Sequence, residues 1–143
     1  MQPVDSIIIT FLKKHHVLTL ATVSGDQPWT ANCFYAFLEK EMAFVFTSGV
    51  DTRHIQEATG NRKVAGNVVL ETSVIGKIQG IQFTGTLILA EGELLEKVSR
   101  AYLKRFPFTA LMDTTLWVLT IDYLKMTDNR LGFGKKLIWE REV

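Results

Sequence analysis

Thr47, Ser48, Thr52, Arg53 and His54 crowd the point where the apolar run Ala43–Phe46 gives way to a polar stretch that opens a helix. A helix start leaves its first backbone N–H groups without partners and is the positive end of the helix dipole. Hydroxyls and a guanidinium gathered there suit a phosphate monoester. The same residues also satisfy a purely structural reading. In that reading Asp51 or Thr52 caps the helix, and Arg53 and His54 are solvated on its first turn.

Other residue types are weaker pointers. Gln79 and Gln82 interrupt an otherwise apolar strand pattern. An amide can read the polar edge of a planar heterocycle, or it can simply face water. Trp29, Phe34, Tyr35, Phe37, Phe44 and Phe46 can form core or wall a flat ring system. Cys33 lies in a β pattern, where a thiol behaves as a small core residue unless its surroundings are electropositive. His15 and His16 are adjacent, so they cannot face one ion from a regular helix, and His54 stands alone; no metal site is expected. No catalytic triad is recognisable. Gly132-Phe133-Gly134 is not a dinucleotide loop, because Leu137 stands where the third glycine belongs. It reads as a hairpin turn with Lys135 and Lys136 solvated, or as a close backbone approach to a ligand.

The elements that must carry these residues follow from periodicity. Val4, Ile7, Ile8, Phe11 and Leu12 make one apolar stripe, predicting a helix over 4–15. Strands are predicted at 17–23, 29–38 and 42–47, the first two separated by the turn Ser24-Gly25-Asp26-Gln27-Pro28. A short helix over 51–59 ends at Gly60-Asn61. A strand over 63–71 and a turn with two glycines lead to a long strand through Leu89. In that strand Gly85 signals a bend, a bulge or a close approach. A helix over 93–105 is stopped by Pro107. The last predicted strand, 115–123, is apolar on both faces. Core is expected on one side, with room for a partner on the other. Six strands with helices at separate positions do not alternate as β-α-β. The expected fold is therefore α+β, a six-stranded antiparallel barrel with peripheral helices, in one domain spanning 1–143.

Sixteen basic against fifteen acidic residues leave no basic footprint for nucleic acid. No apolar run reaches the ~20 residues of a membrane span, and no secretory signal pattern opens the chain. A single cysteine permits no internal disulfide. The expectation is a cytoplasmic protein without nucleic-acid or membrane partners.

Three segments in order carry a resemblance: the strand ending Phe46-Thr47-Ser48, the helix start Asp51-Thr52-Arg53-His54 with Gly60-Asn61 after it, and the strand Gly80-Ile81-Gln82-Phe83-Thr84-Gly85. With them the chain resembles the FMN-binding split-barrel proteins, which include pyridoxamine 5′-phosphate oxidase and the general-stress flavin proteins. Leu18–Val23 and Gly132–Lys135 are similar to a small bacterial branch called YhbP-like. The resemblance spans roughly 5–141. It implies a split barrel, a homodimer and FMN between the subunits. It places Asn32, Cys33 and Phe34 along the flavin ring, and Thr47, Ser48, Thr52, Arg53 and His54 near its phosphate. Gln82 would face the ring, with Gln79 as the alternative. His54 stands where relatives carry a lysine, and the C-terminal motif that binds pyridoxal phosphate in the oxidase is not recognisable. The implied activity is an FMN-dependent oxidoreductase acting on a small molecule other than pyridoxamine phosphate. The alternatives are a flavin or haem carrier, with His54 as a candidate axial ligand, and a cofactor-free interaction protein on the same barrel.

Overall fold

A computed structural model describes residues 2–111 and 115–143. Helix α1 (Ser6–Lys14) starts later than its apolar stripe, because Asp5 caps it by accepting from the Ile7 N–H at 2.9 Å. Its buried face, Ile8, Phe11 and Leu12, joins the core. Strands β1 (Val17–Ser24) and β2 (Gln27–Leu38) form a hairpin through a two-residue turn. There Gly25 adopts the positive φ of 61° that such a tight turn demands.

The remaining elements are β3 (Ala43–Thr47), α2 (Arg53–Gly60), β4 (Lys63–Val69), β5 (Gln79–Leu89), α3 (Gly92–Arg105), β6 (Leu116–Asp128) and β7 (Lys136–Glu140). All pairings are antiparallel. The order β3-β2-β1-β4-β5-β6 closes on itself through β3 and β6, giving the expected six-stranded ring. A seventh strand, not anticipated from the sequence, extends the sheet at β6. Its Trp139 is fully buried and donates from the indole nitrogen to the Gln2 carbonyl.

The barrel opens where β6 exchanges partners. Its residues Leu116–Thr120 pair with β3 and its residues Tyr123–Thr127 pair with β7. Arg141 spans the gap: Nε donates to the Ile121 carbonyl, and Nη2 donates to the carbonyls of Glu41 and Met42.

Inside the ring, Phe44 meets Tyr35 and Phe83 at ring separations of 4.9 Å each. Gly66 faces Phe83 so closely that a Cβ would lie 2.4 Å from the ring. The second apolar face of β6 is already covered within the chain. Helix α3 packs on β2, β3 and β6, and Val118 is buried beneath it. Double burial of this strand therefore needs no partner subunit.

Candidate functional site

Thr52 is the N-cap of α2. Its Oγ1 accepts from the Ile55 N–H and donates to the Gly49 carbonyl at 2.8 Å. The structural reading of the helix start thus holds for Thr52. The neighbouring hydroxyls are also committed. Thr47 Oγ1 donates to the Thr115 carbonyl, and Ser48 Oγ lies 2.5 Å from His54 Nε2. Burial lowers the pKa of His54, so at neutral pH the ring is uncharged. Trp117 fixes the strand end by donating to the Ser48 carbonyl.

What remains open at this helix start is a set of backbone and guanidinium donors, with the exposed Asp51 next to them. Among the described residues no backbone acceptor faces the N–H groups of Arg53 and His54. Arg53 turns away from Ser48 and His54. Its guanidinium lies 4.0 Å above the Trp29 ring, and its Nε donates to Glu57 Oε2 at 2.9 Å. The two terminal nitrogens of Arg53 are left without a partner among the described residues.

The other predicted residues belong to a different surface. By strand alternation Asn32 and Phe34 point outward from β2, while Cys33 points into the core. Burial pushes the Cys33 thiol up to about 12, so it carries no thiolate chemistry. Strand register then aligns five outward polar side chains in one row: Asn32, Thr19, Asn67, Gln82 and Lys125. Thr19 Oγ1 donates to Asn32 Oδ1 within it. With strands about 4.8 Å apart, Asn32 and Gln82 are separated by roughly 14 Å across the sheet. By strand alternation Gln79 lies on the opposite face of β5 from Gln82, beside Lys14 and Arg130, while its position at the strand's start also borders the trough that Gln82 lines.

Thr19, Asn67, Gln82 and Lys125 of this row line a shallow trough, with Asn32 one strand beyond Thr19 and outside the lining. One part, about 400 Å³, is lined by Thr19, Ala21, Thr30, Asn67, Gln82 and Lys125 among others. A second part, about 520 Å³, shares Asn67, Gln82 and Lys125. Small residues at Ala21 and Ala65 line the first part, away from the second. Exposed Val69 lines the second part, exposed Val17 and Phe34 lie two residues along from Thr19 and Asn32, and exposed Ile138 pairs with Lys125 on β7.

Asn67 and Lys125 were not recognised as site candidates from the sequence. Asn67 had a signal, a lone amide within Lys63–Val69. Lys125 had none, because the β-bulge opposite Thr84 and Gly85 reverses the phase of β6. Before the bulge Leu119 and Ile121 face inward. After it Leu124 and Met126 do, and Tyr123 and Lys125 turn out.

Comparison with known proteins fits this geometry. The model of the pyridoxamine 5′-phosphate oxidase family matches residues 8–128. The chain belongs to this family. It is 47% identical over 136 residues to a UPF0306 protein of Photorhabdus laumondii, an alignment covering 94% of both chains. Among solved structures it is similar to a haem-binding protein from Mycobacterium smegmatis, with a TM-score of 0.77 and 17% identity. That match covers 98% of this chain and 60% of the other. It is also similar to an FMN-binding, pyridoxamine 5′-phosphate oxidase-related protein from Nostoc punctiforme. There the TM-score is 0.70 and the identity 12%, covering 99% and 92% of the two chains. At such identities the structural matches establish the split-barrel fold. Among the described residues no helix is long and apolar enough to cross a membrane.

Proposed function

We propose that this family member is a cytoplasmic, homodimeric FMN-binding flavoprotein and an oxidoreductase for a small molecule, without nucleic-acid or membrane partners. The observation that carries the reading is the polar row Asn32-Thr19-Asn67-Gln82-Lys125 on a sheet face that is rimmed by exposed apolar residues. A planar ring with a polar edge suits such a floor, and a second copy suits the rim.

The chain's donors fit the coenzyme's two ends. Terminal nitrogens of Arg53 and the amides of Arg53 and His54 suit the phosphate. Amides of Asn67 and Gln82 in the trough, and of Asn32 at the end of the row, suit the ring edge, and Lys125 adds positive charge beside them. Phe34 offers an apolar wall. Bound FMN would supply hydride or electron transfer; the chain's own task is to hold the ring, orient it and exclude water.

The purified protein should carry flavin absorbance and release FMN on denaturation. Arg53→Ala should weaken FMN by about 1.5–3 kcal/mol, the range for a hydrogen bond to a charged group. An unchanged dissociation constant removes Arg53 from the site. A Soret band on haem titration, lost in His54→Ala, would instead favour a haem carrier. The bond between His54 Nε2 and Ser48 speaks against His54 as an axial ligand.

A further inference from the structure

Arg53 is supported from two directions. Thr22, buried at the end of β1, donates from Oγ1 to Glu57 Oε1 at 2.9 Å. The other oxygen of Glu57 accepts from Arg53 Nε at 2.9 Å. Trp29, from β2, places its ring 4.0 Å from the guanidinium carbon. The Glu57 side chain is 11% exposed while Arg53 is 48% exposed, so the carboxylate is the fixed member and the guanidinium the presented one. A guanidinium has five N–H donors in a rigid plane. With Nε bound to Glu57 and the group held over the Trp29 ring, the terminal nitrogens are the donors available to a ligand.

We infer that Thr22, Glu57 and Trp29 are positioning residues that hold Arg53 with its terminal nitrogens outward, so that the site selects a phosphorylated flavin over the unphosphorylated one. The inference rests on the flavin reading above, and it goes further by assigning selectivity to three residues that touch no ligand. A carboxylate beside a phosphate-binding arginine can equally act as a rival for the guanidinium. The two roles predict opposite signs.

The test compares dissociation constants for FMN and riboflavin, read by flavin fluorescence, in the wild-type chain and in Glu57→Ala, Glu57→Gln and Trp29→Leu. The expected wild-type preference is for FMN. Glu57→Ala and Trp29→Leu should each lower that preference about tenfold by weakening FMN alone, since one charge-assisted contact is worth about that factor. Glu57→Gln should retain most of it, because its amide oxygen still accepts from Nε. General damage to the barrel would weaken both flavins together and leave the ratio unchanged, which overturns the inference. So does tighter FMN binding in Glu57→Ala, the sign of a rival. If Glu57→Ala does not fold, the nearly isosteric Thr22→Val reads the same ratio and must lower it. Wild-type protein that binds neither flavin overturns the functional reading and this inference with it; wild-type protein that binds both equally overturns the inference alone.

Discussion

His54 Nε2 sits 2.5 Å from Ser48 Oγ, at the foot of the helix that carries Arg53. The tautomer of the ring sets which of the two donates, and burial favours the neutral ring. The pKa of His54 is therefore lower in the folded chain than its ordinary value of 6.5. Below that value the unfolded chain binds the extra proton, so stability rises with pH across this window and falls on acidification. His15 shifts in the same direction, chiefly through burial.

The urea midpoint should accordingly drop between pH 7.5 and pH 5.5, and His54→Gln should flatten that slope in part, leaving the share owed to His15. An identical slope in His54→Gln would show that the ring does not titrate with folding.

The sheet face around the polar row predicts an assembly. Val69 and Ile138 are exposed beside the trough, on β4 and β7. Wild-type protein should sediment as a dimer, and Ile138→Asp or Val69→Asp should shift it to monomer at equal concentration with the barrel still folded. If FMN lies between subunits, flavin should be lost in parallel. Wild-type monomer carrying stoichiometric FMN would falsify the shared site.

Gly66 allows the Phe83 ring to lie across β4. A Cβ there would come 2.2 Å from the Thr19 carbonyl oxygen as well as 2.4 Å from the ring. Gly66→Ala should destabilise by about 1–3 kcal/mol, the range for overpacking. The readout is the urea midpoint at constant slope. Gly25→Ala, with open space around its Cβ, should act through its positive φ alone and cost less.

Arg141 holds the barrel's opening at a fixed width through its bonds to Glu41, Met42 and Ile121. Its removal leaves backbone carbonyls short of a charged donor. Arg141→Ala should cost about 1.5–3 kcal/mol in chemical denaturation. Hydrogen exchange should rise first at the Met42–Ile121 contact, where the Ile121 N–H donates to the Met42 carbonyl. Wild-type protection there would assign Arg141 to the surface.

Much was determined by sequence alone. Alternation placed β5, since a half-buried strand must repeat every two residues, while β-forming composition around a turn signal placed β1 and β2 and a continuous apolar run placed β3. The stripe in α1 and the stop at Pro107 placed the helices. Gly85 left a bend, a bulge or a close approach open; it lies opposite the bulge in β6, where a Cβ would come 2.4 Å from the Thr120 carbonyl oxygen. The end of the last strand was misjudged for the same reason that Lys125 was missed. An apolar alternation that included Tyr123 looked continuous, yet one extra residue at the bulge reverses the phase. Only pairing with β5 reveals that. Strand β7 was too short to announce itself and exists because the outer half of β6 lacks β3 as a partner.

Residue types near Thr47–His54 were equally legible, but their destinations were not. Whether a hydroxyl caps its own helix or faces a ligand depends on which acceptor lies nearest in space. Tertiary structure committed Thr47 to the Thr115 carbonyl, set Ser48 against His54 and turned Arg53 onto Trp29 and Glu57, while Thr52 caps its own helix. It also set Asn32 and Gln82, fifty positions apart in the chain, on one row, because register across four strands is a property of the closed sheet and not of any single strand.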